Sequence, residues 1–246
     1  MMDLKMTSSV WYGFQRYDFE FEGHNAFIVM PDTPAGDGRW NWCLEWPDAF
    51  VERCCALELL KMGYYHVHIN IFGTFASPEG MAVLDKFYRY LTEERAFHKK
   101  ANLMGLSMGG LYSYRFAMEY PERVAVIYGD APVCDLAFYP VNRREIVFAA
   151  YGCKTQEEIA QTGLNPIDHF DRLAAAGIPL ISVIGCADEM VIPAEHTDRL
   201  EKIYRELGGE ITVFRRPYIG HHPHGYDDTC QIAELINSKV SMRLKD

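Results

Sequence analysis

The stretch Lys-Lys-Ala-Asn-Leu-Met-Gly-Leu-Ser-Met-Gly-Gly-Leu-Tyr-Ser-Tyr-Arg-Phe-Ala-Met-Glu-Tyr, residues 99–120, predicts a strand, a sharp turn and a helix in succession. The apolar run 101–104 is typical of a buried strand, and the residues after the turn keep a helical pattern until Pro121. Ser107 stands in the turn, inside a Gly-x-Ser-x-Gly pattern that presents a serine hydroxyl at the end of a sheet. Two glycines flank this serine because side chains there would collide with the neighbouring strand and helix.

The pattern alone is common, so its surroundings decide the interpretation. Pro121-Glu122-Arg123 stops the helix, and a further apolar run follows at 124–128. A strand before the motif and a helix and a second strand after it favour a nucleophilic Ser107 over a purely structural serine.

Composition limits the classes of partner. The 246 residues are 49% hydrophobic and 13% aromatic, which is enough material for a large core. The formal net charge is −10 and the isoelectric point is about 5.4. Nucleic acids and anionic membranes require a basic face, so we expect neither as a partner, and a small-molecule substrate fits better.

The cysteines and the N-terminal residues indicate in which cellular compartment the protein is expected. The seven cysteines are an odd number without the regular spacing of a disulfide framework or a zinc ribbon. The N-terminus lacks an apolar run of signal-peptide length, and no 18 apolar residues follow one another. We therefore expect a cytoplasmic protein.

The pattern of apolar residues predicts strands that alternate with helices. In the first half, the predicted order is strands 17–21 and 26–30 as a hairpin, a loop 31–47, helix 48–62, strand 64–72 and helix 77–92. In the second half, short helical pieces around 143–151, 155–162 and 168–176 are followed by strand 179–185, helix 193–207, strand 211–215 and helix 227–242. This α/β order predicts one domain, residues 1–246, with a mainly parallel sheet covered by helices on both faces and residues 131–178 as a small lid-like insertion.

Candidate reactive residues follow three of the predicted strands. Ser107 follows the first, Asp188 lies just after strand 179–185, and His221 comes after strand 211–215. Reacting groups of such sheets gather at the carboxyl ends of the strands, so we expect these three side chains to converge.

The chain resembles the α/β-hydrolase family from the hairpin to the final helix. The serine, acid and histidine follow in the order of that family's triad. The resemblance implies that Ser107 attacks a carbonyl, that His221 moves the proton, that Asp188 orients the imidazole, and that the insertion follows the sixth strand. The Asp-Ala-Pro-Val-Cys-Asp run from Asp130, together with Gly-His-His-Pro-His, is similar to a bacterial subgroup of single-domain serine hydrolases and esterases, which implies no particular substrate.

Two backbone N–H groups are expected to form an oxyanion hole. Met108, at the start of the helix, is the first expected donor. The second donor is expected from the loop after the third strand of the fold, which we place at 36–46. This loop departs from the His-Gly pattern of lipases, and we favour Trp42 as its donor.

Several residues compete for the same roles. His221 directly follows the glycine that ends the last strand, and His222 is its rival as the base. His222 and His224 are also candidate substrate contacts, although His224 could equally be a solvated loop residue. Asp188 has a rival in Asp130, which ends the preceding strand and could instead accept backbone hydrogen bonds.

A metal site and a sugar-binding wall are further alternatives. His66, His68 and Asn70 alternate along one strand, and His222 and His224 stand near Asp227 and Asp228, which could form metal ligand groups. Strand alternation explains the first set equally well, so we expect no metal and no cofactor. Trp40, Trp42 and Trp46 could stack on a sugar ring or pack in the core, and we include Trp40 as a candidate substrate contact.

The sequence therefore predicts a serine hydrolase that cleaves a small carboxylic ester, such as an acetylated carbohydrate, through an acyl-enzyme intermediate. A peptidase or amidase with the same triad is an alternative. A non-catalytic binding protein of the same fold is another, and the oligomeric state stays open.

Overall fold

Nine strands form one sheet in the computed structural model, which describes residues 4–139 and 143–245. The spatial order is β1-β2-β3-β5-β4-β6-β7-β8-β9. The strands are β1 (Thr7–Trp11), β2 (Phe14–Phe21), β3 (His24–Val29), β4 (Trp40–Leu44), β5 (Tyr65–Ile69), β6 (Ala101–Leu106), β7 (Val124–Asp130), β8 (Leu180–Gly185) and β9 (Ile211–Arg216).

Strand direction divides the sheet into two parts. The first three strands form an antiparallel meander whose last strand, β3, is antiparallel to β5. From β5 through β4 to β9, every neighbouring pair is parallel. The predicted α/β fold, with an antiparallel hairpin followed by a mainly parallel sheet, is confirmed.

Helices cover both faces of the sheet. They are α1 (Ala56–Lys61), α2 (Pro78–Arg89), α3 (Met108–Glu119), α4 (Arg144–Ala150), α5 (Gln156–Gln161), α6 (Phe170–Ala175), α7 (Thr197–Glu206) and α8 (Thr229–Arg243). Successive residues of β6 point to opposite faces of the sheet. Leu103 packs in the core that contains α2 and α3, and Met104 packs in the core that contains α1 and α8.

Two strands were not predicted. β1 is an edge strand whose first four residues are exposed, so it lacks the apolar alternation that marks a half-buried strand. β4 lies in the predicted loop 31–47, and all five of its residues are buried. A five-residue strand buried on both faces shows no alternation, and the glycines and prolines around β4 favoured a loop.

Two predicted helices are interrupted or modified. Within 48–62 there is a 3-10 turn, Val51–Arg53, and then α1, because Phe50 and Cys55 both adopt positive φ and break the helical path. The predicted helix 77–92 is α2, which begins at Pro78 and passes into a π-helical turn over Tyr90–Glu94.

The segment 131–178 contains the short helices α4, α5 and α6. It follows β7, which is the sixth strand counted from β2. Its described residues Tyr139 and Arg143 line the cavity at the carboxyl ends of the parallel strands. The segment therefore helps to build the site described below.

Membrane-spanning helices and disulfides were not expected from the sequence. None of the helices in the described ranges is long and apolar enough to cross a lipid bilayer. All seven cysteines lie in those ranges and none is in a disulfide; five are buried, whereas Cys186 and Cys230 are exposed.

Candidate active site

Ser107 occupies a strained turn between β6 and α3. Its backbone angles are φ 49° and ψ −114°, a conformation that non-glycine residues rarely adopt and that is often found at functional sites. The turn is held by two backbone hydrogen bonds, from Ser107 N to Asp130 O at 2.8 Å and from Val133 N to Ser107 O at 2.9 Å. The hydroxyl is thereby fixed at the carboxyl end of the sheet.

Close backbone approach explains the two flanking glycines. A Cβ at Gly105 would overlap the carbonyl group of Gly109, and a Cβ at Gly109 would overlap the carbonyl oxygen of Leu44. The strand, turn and helix can therefore pack this tightly only with glycine at both positions.

Ser107, His221 and Asp188 form one hydrogen-bonded chain. His221 Nε2 lies 3.0 Å from Ser107 Oγ, and His221 Nδ1 lies 2.7 Å from Asp188 Oδ2. The other carboxylate oxygen, Asp188 Oδ1, accepts from the backbone N–H groups of Met190 and Val191 at 2.8 and 2.9 Å. The loops after β6, β8 and β9 thus bring these three residues together.

The surroundings of Asp188 favour its ionised form. Desolvation by burial acts to raise the pKa of the carboxyl, but the hydrogen bond to His221 and the N–H groups of Val191 and Met190 outweigh it, so the pKa lies below its ordinary value. An ionised Asp188 can hold a proton on His221 Nδ1 and leave Nε2 facing the hydroxyl of Ser107.

A second carboxylate and imidazole pair lies beside the first. His224 Nδ1 is 2.6 Å from Asp130 Oδ1, and Asp130 Oδ2 accepts from Gly225 N at 2.7 Å and from the Tyr128 hydroxyl at 3.1 Å. Asp130, the rival acid, is therefore bonded to His224 and does not contact His221 Nδ1. The rival base His222 is exposed and stacks on the ring of Phe50, with ring centroids 5.7 Å apart.

The reactive side chains open into a cavity of about 300 Å³. The lining residues are Trp46, Ala49, Phe50, Leu106, Ser107, Met108, Tyr139, Arg143, Met190, Val191, His221, His222 and His224. Much of this lining is apolar, and Arg143 is its one formal cation among the described residues. Nothing in the sequence marks Phe50, Tyr139 or Arg143 as lining residues. Met190 and Val191 carried a signal, because they lie two and three residues after Asp188.

Trp40 lies in the core and not in this cavity. Its side chain is 1% exposed, and its indole N–H donates to His98 O at 2.8 Å. The expectation that Trp40 contacts substrate is therefore wrong, because β4 directs it into the core around α2 and α3. Of the three candidate tryptophans, only Trp46 lines the cavity.

Trp42 also differs from its predicted role. It is fully buried in β4, where it pairs with Leu103 of β6, four residues before Ser107. Leu44 pairs with Gly105, two residues before Ser107, and in the turn after Leu44 the residues Glu45 and Trp46 have φ of 68° and 54°. Trp46 in that turn lines the cavity with Ser107 and Trp42 does not, whereas Met108 lines the cavity and begins α3 as predicted.

Of the two alternative metal groups, only the one with His222 and His224 keeps its histidines in a cluster of candidate ligands. His66 and His68 lie on buried β5, where His66 stacks on Trp11 and His68 Nδ1 lies 2.9 Å from Cys43 O. Burial lowers the pKa of His66 to about 3 and that of His68 to about 4, so both are neutral near pH 7. Asp227 pairs with Arg53 at the surface. Within the described ranges, only His221, His222 and His224 form a group of three or more candidate metal ligands.

Glu45, in the turn after β4, is a buried acid. Burial raises its pKa from an ordinary 4.5 to about 7. Its Oε1 atom has no hydrogen-bond partner among the described residues. Between pH 4.5 and pH 7 the folded chain keeps a proton that the unfolded chain has released, so the free energy of unfolding falls as pH rises through this window.

Glu45→Gln is therefore expected to stabilise the protein at pH 8 by about 3 kcal/mol relative to the parent, and to change little at pH 4. The amide has nearly the shape of the protonated acid and does not ionise. Urea unfolding at both pH values measures the difference, with the exposed Glu52→Gln as a matched control. Equal stability of Glu45→Gln and its parent at pH 8 would contradict the shifted pKa.

Solved structures of other proteins are similar to this one, although their sequences are not closely related. No curated protein matches the sequence significantly. Similar solved structures include a Bacteroides ovatus protein assigned as a dipeptidyl aminopeptidase IV (15% identity, TM-score 0.66), a puromycin-hydrolyzing peptidase of Mycobacterium tuberculosis (13%, 0.69) and an S-formylglutathione hydrolase of Agrobacterium tumefaciens (13%, 0.66). At these identities they show that the chain shares their fold.

The extent of the similarity differs between these structures. The comparison with the two peptidases covers 98% of this chain but only 43% and 39% of theirs, so the chain spans less than half of their length. The comparison with the S-formylglutathione hydrolase covers 99% of both chains. A family model described as the prolyl oligopeptidase family matches residues 84–234, which is more than half of the sequence and includes the serine, acid and histidine. The chain therefore belongs to the prolyl oligopeptidase family of serine hydrolases.

Proposed function

We propose that this protein is an esterase that cleaves small carboxylic esters, with Ser107 as the nucleophile, His221 as the general base and acid, and Asp188 as the residue that orients His221. The observation that carries the proposal is the continuous hydrogen-bonded chain from Asp188 through His221 to the Ser107 hydroxyl, at the wall of a cavity. A serine hydroxyl needs such a base to be a useful nucleophile near neutral pH.

The reaction proceeds in two steps. His221 Nε2 takes the proton as Ser107 Oγ attacks the carbonyl carbon, and the same nitrogen then gives the proton to the departing alcohol, which leaves an acyl group on Ser107. Water, activated by His221, releases the acid in the second step. The backbone N–H groups of Met108 and Trp46 bind the oxyanion, since one begins α3 and the other lies in the turn beside the nucleophile.

The cavity supports a small acyl group. Its volume of about 300 Å³ and its apolar lining suit a short chain, and residues 131–178 act as a small insertion in a single catalytic domain, contributing Tyr139 and Arg143 to the wall. The S-formylglutathione hydrolase, which has this fold, is nearly the same length as this chain, since the comparison covers 99% of both.

An aromatic surface at the edge of the cavity suits a sugar as the alcohol part. Trp46 and Phe72 are 38% and 54% exposed, and their ring centroids lie 5.7 Å apart. Exposed aromatic rings can stack on the apolar face of a sugar ring. An acetylated carbohydrate is therefore the substrate class we favour.

Family membership favours a second candidate, a peptidase acting through the same three residues. Ester and amide hydrolysis share the acyl-enzyme step, so the substrate decides between the two.

A substrate panel tests the proposal. We expect kcat/KM for p-nitrophenyl esters to fall at least tenfold from acetyl to octanoyl, and acetylated xylo-oligosaccharides to be deacetylated. Aminoacyl p-nitroanilides measure the peptidase activity, and Ser107→Ala protein is the blank for every substrate. Larger kcat/KM values for the anilides than for the acetyl esters would replace the esterase with the peptidase.

A further inference from the structure

Three imidazole rings stand close together at the wall of the cavity. The ring centroids of His221, His222 and His224 lie 4.7, 4.8 and 5.1 Å apart, and the ring planes are nearly perpendicular, at 77° to 88°. Zn–N bonds of about 2.0 Å at tetrahedral angles would hold three imidazole centroids about 5 Å apart. The spacing of the rings thus matches that of a three-histidine metal site.

Carboxylates already fix two of these rings in the way that metal sites require. Asp188 lies 2.7 Å from Nδ1 of His221, and Asp130 lies 2.6 Å from Nδ1 of His224. Metal-binding histidines commonly donate one ring N–H to a carboxylate, which leaves the lone pair of the other nitrogen for the metal. Both rings line the cavity, and because each Nδ1 is bonded to a carboxylate, Nε2 is the nitrogen of each ring that is left for a metal.

The third ring is the adjustable one. His222 is exposed, stacks on Phe50 and has no carboxylate partner among the described residues. One nitrogen from each ring can be chosen so that all three lie within 4.8 Å of one another, whereas a tetrahedral metal needs nitrogens about 3.3 Å apart. His222 is the exposed member of the three, so its ring is the one most free to turn toward a shared ion.

We infer that His221, His222 and His224 bind a divalent transition-metal ion of the zinc type and that the bound ion inhibits the enzyme. Three imidazole nitrogens select Zn²⁺, Co²⁺, Ni²⁺ or Cu²⁺ over Mg²⁺ and Ca²⁺, which prefer oxygen. His221 Nε2 also faces Ser107 Oγ at 3.0 Å, so a metal on that nitrogen removes the base. The binding itself does not depend on the proposed function; the inhibition rests on it.

Co²⁺ binding tests the site without any activity measurement. All proteins carry Ser107→Ala, and Cys186→Ser and Cys230→Ser to remove the two exposed thiols. Visible absorption of tetrahedral Co²⁺ is expected to saturate at one ion per chain. His222→Ala and His224→Ala are each expected to weaken binding at least 100-fold, whereas His24→Ala, outside the cluster, leaves it unchanged.

A variant that keeps all three ligands tests the carboxylate contribution. Asp130→Asn is expected to weaken Co²⁺ binding by roughly 10- to 100-fold, because the ring of His224 loses the carboxylate that orients it. Absence of the visible band, or a band that does not change in His222→Ala, overturns the site. Because His222 is exposed, the His222→Ala protein is expected to fold.

Inhibition by Zn²⁺ tests the second half of the inference on protein with an intact Ser107. Zn²⁺ is expected to inhibit acetyl ester hydrolysis at the concentration that displaces Co²⁺, and EDTA is expected to restore it. Normal Co²⁺ binding with no ester hydrolysis in metal-free protein would reject the proposed function and leave the site standing. Normal binding with hydrolysis that Zn²⁺ does not affect would overturn the inhibition.

Discussion

Ser107→Ala is expected to abolish covalent labelling by a fluorophosphonate and to lower kcat for p-nitrophenyl acetate by on the order of 10⁵-fold. The reason is that Ser107 Oγ is the hydroxyl within hydrogen-bond distance of His221 Nε2, at 3.0 Å. Removal of this atom takes away the nucleophile and leaves the rest of the site in place. In-gel fluorescence measures the labelling, and steady-state kinetics of p-nitrophenyl acetate hydrolysis measure kcat.

Ser113→Ala is the matched control for this experiment. Ser113 lies on the same helix, α3, and is fully buried, and its hydroxyl donates to Gly109 O at 2.9 Å. It has no contact with the histidines, so the control is expected to keep both labelling and hydrolysis. Labelling that persists in Ser107→Ala would assign the nucleophile elsewhere. A folded parent protein that is not labelled would favour the non-catalytic binding protein.

The turn at Ser107 could be predicted from the sequence because its determinants are local. The glycines around Ser107 indicate that the strand, the turn and the helix pack closely against one another. The change from an apolar run to a helical pattern marks the strand before Ser107 and the helix after it. The order of Ser107, Asp188 and His221 along the chain then predicted a convergence at the carboxyl ends of β6, β8 and β9. The geometry places the three side chains in contact.

β4 could not be predicted because its role is set by distant packing. Trp42 packs edge-to-face on Phe116 of α3, and Trp40 contacts Trp42, with ring centroids 5.0 and 5.3 Å apart. Nothing within the segment distinguishes such a strand from an aromatic loop. The error carried over to the site, since placing Trp40 and Trp42 in a loop made both of them candidates for substrate or oxyanion binding.

The pairing of acids with histidines likewise depends on tertiary structure. β7 and β8 are neighbours in the sheet, so Asp130 and Asp188 both lie near the loop that contains His221 and His224. The sequence offers either pairing. The paths of the loops after β8 and β9 decide it, because they bring His221 to Asp188 and His224 to Asp130.

His221→Ala is expected to lower kcat for p-nitrophenyl acetate by on the order of 10⁴-fold or more, whereas His222→Ala is expected to have a much smaller effect. Among the histidines that the structure describes, only His221 has one ring nitrogen at Ser107 and the other at a carboxylate. The ring of His222 stacks on Phe50 at the exposed rim. Steady-state kinetics of both variants in metal-free buffer, with thermal unfolding to verify folding, separate the two histidines. If His222→Ala has the larger effect, the base is misassigned.

Replacing each of the two acids by its amide tests which carboxylate supports the base. Asp188→Asn keeps the shape of the side chain but removes the charge that holds a proton on His221 Nδ1, and we expect kcat to fall by on the order of 10³- to 10⁴-fold. Asp130→Asn makes the same chemical change 2.6 Å from His224 and is expected to cause a smaller loss of kcat. A larger loss in Asp130→Asn would mean that the pair formed by Asp130 and His224 carries the proton transfer, and that the hydrogen bond between Asp188 and His221 is structural.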